Sequence, residues 1–302
     1  MPKVSICIPT YEQVEYLKKC LDSILIQNYS DYEVIITDDS RTDHVEKIVK
    51  EYDFNGRLKY IRNKERLGSP ENWNEAIRRA AGDYIKVIHH DDWFENDDSL
   101  KEFVNLLDQN PESDFAFSAS HVVFDDLNWI HSITEEQVDN IGKQPDSLYQ
   151  GNMVGGPSAT IFRNHRFFFD SSLKWLVDID LYIRILHNNN SFVYSNQHLV
   201  TTYAAKGRVS DYCKGNKEVE LFEYFYLFHK IVKKYRYISL NRYKSNMLFL
   251  ISICKEFSIK NIKEVRFCGY NGKIHYLLEL YFFCRNKHIY VERLFIKLIK
   301  LL

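Results

Sequence analysis

Three short apolar runs in the first third of the chain each stop at polar or conformationally special residues. Val4-Ser5-Ile6-Cys7-Ile8 ends at Pro9-Thr10-Tyr11, and Glu33-Val34-Ile35-Ile36-Thr37 ends at Asp38-Asp39-Ser40. Tyr84-Ile85-Lys86-Val87-Ile88 ends at His89-His90-Asp91-Asp92. Such runs read as strands buried on both faces of a parallel sheet. Pro9 is expected to end the first of them. Leu58-Lys59-Tyr60-Ile61 and the segment Asp114 to Phe124 read as further strands. Between them apolar residues recur at helical spacing: Val14, Leu17, Leu21, Ile24, Leu25; Val45, Ile48, Val49, Tyr52; Trp73, Ala76, Ile77, Ala80; Leu100, Phe103, Leu106, Leu107. Pro70 suits the start of the third helix.

Strand and helix in alternation predict an α/β fold: a mostly parallel, Rossmann-like sheet flanked by helices. Ligands of such sheets sit beyond the carboxyl ends of the strands. The three polar terminations therefore converge on one edge, where a solvated turn has no reason to recur. Adjacent carboxylates such as Asp91 and Asp92 repel each other, and a hard divalent cation offsets that charge. Pro9-Thr10-Tyr11-Glu12 lacks the glycines and the basic residue of a phosphate loop, which excludes nucleotidyltransferases and GxGxxG dehydrogenases.

Asp125 to Gln150 is polar and gives no assignable pattern. Ala159-Thr160-Ile161-Phe162 reads as a strand after a glycine pair. Leu181, Ile185 and Leu186 share a helical face, which puts Asp178 near a helix start. An acid there is either a functional carboxylate favoured by the helix dipole or an N-cap.

The chain of 302 residues has a net charge of −1, unevenly distributed. Residues 215–302 hold 17 Lys and Arg against 7 Glu and no Asp; 23 against 34 remain for residues 1–214. We expect two parts: 1–214, and a basic, aromatic-rich helical region over 215–302. Near-neutral charge overall and no recognisable motif argue against nucleic acid as a partner. Leu294, Phe295, Leu298 and Ile299 are expected to form one face of the last helix, with Arg293, Lys297 and Lys300 elsewhere. That pattern suits an anionic membrane surface, and equally packing on its own domain or on a second subunit as a homodimer. No apolar stretch is long enough to span a bilayer, and Met1-Pro2-Lys3 leads straight into a strand, so no secretory leader is expected. Six scattered cysteines without a CxxC pair suggest buried thiols in a reducing cytosol.

These pieces, in this order, resemble the family 2 glycosyltransferases. The matching residues are Val4 to Tyr11, Glu33 to Asp43, Asn72-Trp73-Asn74 through Ile85, His90-Asp91-Asp92, Gly156-Pro157-Ser158 and Trp175 to Arg184. The resemblance implies the GT-A fold over 1–214 and an inverting hexosyl- or N-acetylhexosaminyl-transferase. Its donor would be a nucleotide-diphosphate sugar, UDP favoured, and its acceptor a growing cell-surface glycan or a lipid-linked molecule. Pro9, Thr10 and Tyr11 would border the base, Asp39 would hydrogen-bond it, and Asp91 would face the ribose or donor sugar. Asp92 would hold Mn²⁺ or Mg²⁺, Asp178 would be the general base, and Lys206 would meet the diphosphate. Gly156, Pro157, Ser158 and Trp175 would lie on the acceptor or donor-sugar side. His90 is read as structural, and Asp180 as a non-catalytic neighbour. The family implies a cytoplasmic location, peripheral on the inner face of the plasma membrane. Val177 and Lys206 depart from its pattern, which keeps a degenerate nucleotide-sugar-binding module as the alternative.

Overall fold

The computed structural model describes residues 1–204, 208–234, 239–287 and 289–301. In chain order the strands are β1 (Val4–Thr10), β2 (Tyr32–Asp38), β3 (Leu58–Arg62), β4 (Tyr84–Val87), β5 (Trp93–Phe94), β6 (Phe115–Phe124), β7 (Leu127–His131), β8 (Thr160–Arg163) and β9 (Phe192–Tyr203). The helices are α1 (Val14–Leu25), α2 (His44–Val49), α3 (Glu71–Arg79), α4 (Ser99–Asp108), α5 (Glu135–Lys143), α6 (Val177–Asn188), α7 (Val209–Cys213), α8 (Lys217–Lys234), α9 (Leu240–Glu256), α10 (Ile262–Phe267), α11 (Tyr276–Lys287) and α12 (Ile289–Leu301).

One sheet runs β3-β2-β1-β4-β8-β6-β9-β5, with β7 paired to β6. Its first half, β3-β2-β1-β4, is parallel throughout. Beyond β4 the sheet turns mixed: β8 is antiparallel to both β4 and β6, while β6 and β9 are parallel. This is the expected α/β architecture. Strand periodicity divides the core in two. Val4, Ile6 and Ile8 pack with Val34 and Ile36 against α1 and α4. Cys7, Ile35, Ile85 and Val87 face the other way, toward α3, α6 and the C-terminal helices.

Three expectations change. β1 continues through Pro9 to Thr10, because β4 pairs with it only as far as Cys7 and a missing N–H there breaks no ladder on that side. The unassigned stretch 125–150 contains β7, α5 and a 3-10 turn over Pro145–Gln150. Of the four apolar residues expected to form one face of α12, Phe295 and Ile299 pack inward (8% and 2% exposed), while Leu294 and Leu298 stay half exposed. Successive helical residues differ by 100°, so the inner half of the stripe alone meets α9 and α11.

Candidate active site

The carboxyl ends of β1, β2 and β4 and the start of α6 open onto one cavity of about 620 Å³. Pro9, Thr10, Tyr11, Asp39, Asp91, Asp92, Gly156, Pro157, Trp175 and Asp178 all line it. Ser158 does not; it is fully buried beneath the wall. Its Oγ accepts from the His89 N–H (3.0 Å), and its carbonyl accepts from the Lys86 ammonium. Lys206 lies outside the described residues. Arg208, Lys174 and Arg66 are cations that do line the cavity.

At the β1–β2 end, Asn72 clamps the strand tips. Its Nδ2 donates to the carbonyls of Thr10 and Thr37, each at 3.2 Å. Asp39 is buried and accepts from Asn63 Nδ2 (2.7 Å), Leu67 N–H (3.1 Å) and Gly68 N–H (2.6 Å). It therefore fixes the loop that carries Arg66, whose guanidinium lies 4.3 Å from the Tyr11 ring centre.

At the β4 end the chain leaves the sheet as His89-His90-Asp91-Asp92. Asp92 is 6% exposed and accepts the Tyr203 N–H at 3.0 Å. Burial and the adjacent Asp91 push its carboxyl up to about 8. His89, Asp91 and Asp92 each offer a ligand atom, and these atoms lie within 4.8 Å of one another. Burial pushes the His89 imidazole down to about 4, leaving it neutral. Its Nε2 has no hydrogen-bond partner among the described residues, and its ring packs 4.5 Å from that of Trp73. A neutral imidazole with two carboxylates, one of them costly to ionise, is a donor set that fits a divalent cation. His90 points elsewhere, with Nδ1 3.2 Å from the Pro9 carbonyl. Lys86, buried in the apolar run behind Asp92, sits 4.3 Å from the Phe103 ring and is pushed down to about 7 by burial.

Asp178 is the second residue of α6 and makes no side-chain cap; the N-cap position is Leu176. Asn152 Nδ2 donates to its Oδ2 at 3.3 Å. Burial pushes the Asp178 carboxyl up to about 7, so near neutral pH it can both lose and take a proton. Asp180, two residues on, is a structural tie: it is 1% exposed and pairs with Arg184 (2.8 Å) and Lys230 (2.6 Å). Sequence reasoning missed His89, Arg208 and Tyr224 of α8, all on the cavity wall. His89 had a signal, its place beside Asp91-Asp92; the other two are brought in by the fold.

A sheet whose parallel half ends in this acidic cavity, covered by α6 and the C-terminal helices, is the GT-A glycosyltransferase fold. The glycosyl transferase family 2 model matches residues 5–169, more than half of the chain, and the chain belongs to that family. Glycosyltransferase GlyA of Streptococcus pneumoniae is 34% identical over 96 residues, 32% of this chain and 14% of that protein. A Mycobacterium tuberculosis protein is 27% identical over 205 residues, 61% of this chain and 62% of its own length. The chain thus spans less than two thirds of these curated relatives. Among solved structures, Staphylococcus aureus TarS 1–349 aligns with a TM-score of 0.63 at 18% identity, covering 97% of this chain and 83% of that one. TarS 1–349 has also been solved with UDP and with UDP-GlcNAc. The mannosyltransferase PcManGT of Pyrobaculum calidifontis, in complex with GDP-Man and Mn²⁺, aligns with a TM-score of 0.56 at 14% identity, covering 99% of this chain and 84% of that one.

Proposed function

We propose that the protein is an inverting glycosyltransferase. It moves a hexose or N-acetylhexosamine from a nucleotide-diphosphate donor, UDP favoured, to a hydroxyl of a cell-surface glycan or lipid-linked acceptor. The observation that carries this reading is the single cavity that joins Asp39, Asp91 and Asp92 to a carboxylate, Asp178, raised to about 7. The TarS complexes with UDP and UDP-GlcNAc support the choice of donor.

In this reading Pro9, Thr10 and Tyr11 border the base. Asp39 already accepts three hydrogen bonds and keeps capacity for about one more, from a base N–H. Asp91 faces the ribose or donor sugar. Asp92, with His89 and Asp91 beside it, would hold Mn²⁺ or Mg²⁺. Bound there, the cation stabilises the negative charge of the departing diphosphate. Arg208, on the cavity wall, supplies further positive charge; Lys206, the other cation expected to meet the diphosphate, lies outside the described residues. Gly156, Pro157 and Trp175 form the acceptor or donor-sugar wall, with Ser158 bracing it from below. Asp178 takes the proton of the acceptor hydroxyl. The freed oxygen attacks the anomeric carbon opposite the diphosphate, the carbon–oxygen bond to the diphosphate breaks, and the configuration inverts.

We assign the chemistry to residues 1–214 and a supporting, membrane-facing role to 215–302. Among the described residues no helix is long and apolar enough to cross a membrane. Leu280, Phe283, Leu294 and Leu298 are nevertheless exposed on α11 and α12, next to exposed Lys287, Arg293, Lys297 and Lys300. Apolar and basic groups together suit peripheral contact with an anionic lipid surface on the cytoplasmic side.

Thermal unfolding with UDP, GDP, dTDP and CDP, each with and without Mn²⁺, tests the donor and metal assignments. A ligand of the folded state alone adds about 2.7 kcal/mol at a hundredfold excess over Kd. A Mn²⁺-dependent shift with UDP above all is expected; no shift with any nucleotide contradicts the reading.

A further inference from the structure

We infer that Glu223, on α8, is a positioning residue for the segment that carries Trp175 and Asp178, which makes the C-terminal helices part of the catalytic framework. The inference rests on Asp178 being the general base. Glu223 is 2% exposed and takes hydrogen bonds from three successive backbone amides. Its Oε1 accepts from Lys174 N–H (2.7 Å), and its Oε2 accepts from Trp175 N–H (2.9 Å) and Leu176 N–H (2.8 Å). These are the residues just before α6, at a helix start that has no side-chain cap of its own. The same segment lines the cavity, as does Tyr224, the next residue of α8.

A buried carboxylate is costly unless donors converge on it, and hydrogen bonds to a charged acceptor are about twice as strong as neutral ones. No ion pair to Glu223 occurs among the described residues, so backbone amides carry the compensation. α8 is itself anchored to the elements around α6. Lys230 bridges Asp170 and Asp180, both at 2.6 Å, and Tyr149 Oη donates to the Tyr224 carbonyl at 3.0 Å. A shift of α8 is therefore a shift of the base.

The groups facing Asp178 are Asn152 from the preceding loop, Tyr182 on its own helix, and Glu223 from α8, with Lys174 on the approach. Asp180 is neutralised by Arg184 and Lys230. Glu223 adds negative charge near Asp178 and helps to keep its carboxyl high.

The test uses the full chain carrying Glu223→Gln, which keeps the volume, removes the charge and leaves one oxygen for three donors. We expect kcat to fall about 10- to 100-fold, with the donor KM within about twofold of wild type. The acid limb of kcat against pH should move to lower pH. A wild-type kcat and an unmoved limb would overturn the inference. Amide hydrogen exchange on the unaltered protein tests it without a variant, which decides the case if Glu223→Gln does not fold. Lys174 is exposed, so slow exchange of its amide reports the bond to Glu223, and fast exchange at 174–176 overturns it. Asp178→Asn separates the two readings. If that variant keeps turnover, the base assignment fails, while amide exchange still tests the hold of Glu223.

Discussion

Asp92 is held in the folded chain at a cost. Its carboxyl keeps a proton up to about 8, against an ordinary value of 3.8. Between those values the folded state binds more protons than the unfolded one, so this group's contribution to stability falls as pH rises. Asp178, raised to about 7, acts with the same sign. Without metal at pH 7, Asp92→Asn should therefore be more stable than wild type, on the order of 1–3 kcal/mol by chemical denaturation. The same variant should lose the Mn²⁺-dependent thermal shift. An Asp92→Asn that still responds to Mn²⁺ would sink the assignment of Asp92 as the metal carboxylate, and a less stable one would contradict the cost ascribed to its burial. At this scale the acids were legible, since Asp39, Asp91, Asp92 and Asp178 each stand at a strand or helix end that periodicity locates. Glu223 and Arg208 were not, because neither belongs to a local pattern and only the fold brings them to the cavity.

The elements that carry those acids were legible for a related reason. β1, β2 and β4 are buried on every residue, so their apolar runs survive intact in the sequence. β7 is almost wholly exposed, and α5 buries Ile141 alone, so neither leaves a hydrophobic signature. α5 is set instead by the capping box of Thr134 and Gln137. The junction of α3 and β4 shows how tightly the parallel strands are drawn together. A Cβ on Gly82 would lie 2.6 Å from the Ser5 nitrogen and 2.8 Å from the Val4 carbonyl carbon. The Gly82 N–H donates to Ser5 Oγ, which donates to Glu33, and Glu33 also accepts from the Ala81 N–H. Backbone cannot yield there as a flexible side chain would. Gly82→Ala should cost about 1–3 kcal/mol, seen as a lower denaturation midpoint. A midpoint equal to wild type would show that β1 and β4 are free to part.

Over the whole molecule, the charge asymmetry of the sequence corresponds to two surfaces with different partners in our account. In that account the acidic cavity takes the donor, and the basic, partly apolar face of α11 and α12 is proposed to meet lipid. Vesicles containing phosphatidylglycerol should co-float with the wild-type chain and release a Leu294→Glu, Leu298→Glu variant. Neutral phosphatidylcholine vesicles should bind neither. Equal flotation of wild type and variant would refute the lipid assignment, and a variant that loses only self-association would give this face to a second copy. The division at 214 and 215 is not a packing boundary. Leu221, Phe225, Met247 and Ile299 share one core with Phe115, Val177 and Leu181. The most direct test of the account is turnover and donor binding by Asp178→Asn, measured side by side. We predict a loss of turnover of about 10²–10⁴-fold with the nucleotide-dependent thermal shift unchanged. Turnover close to wild type would contradict the assignment of Asp178 as the base on which the proposed chemistry depends.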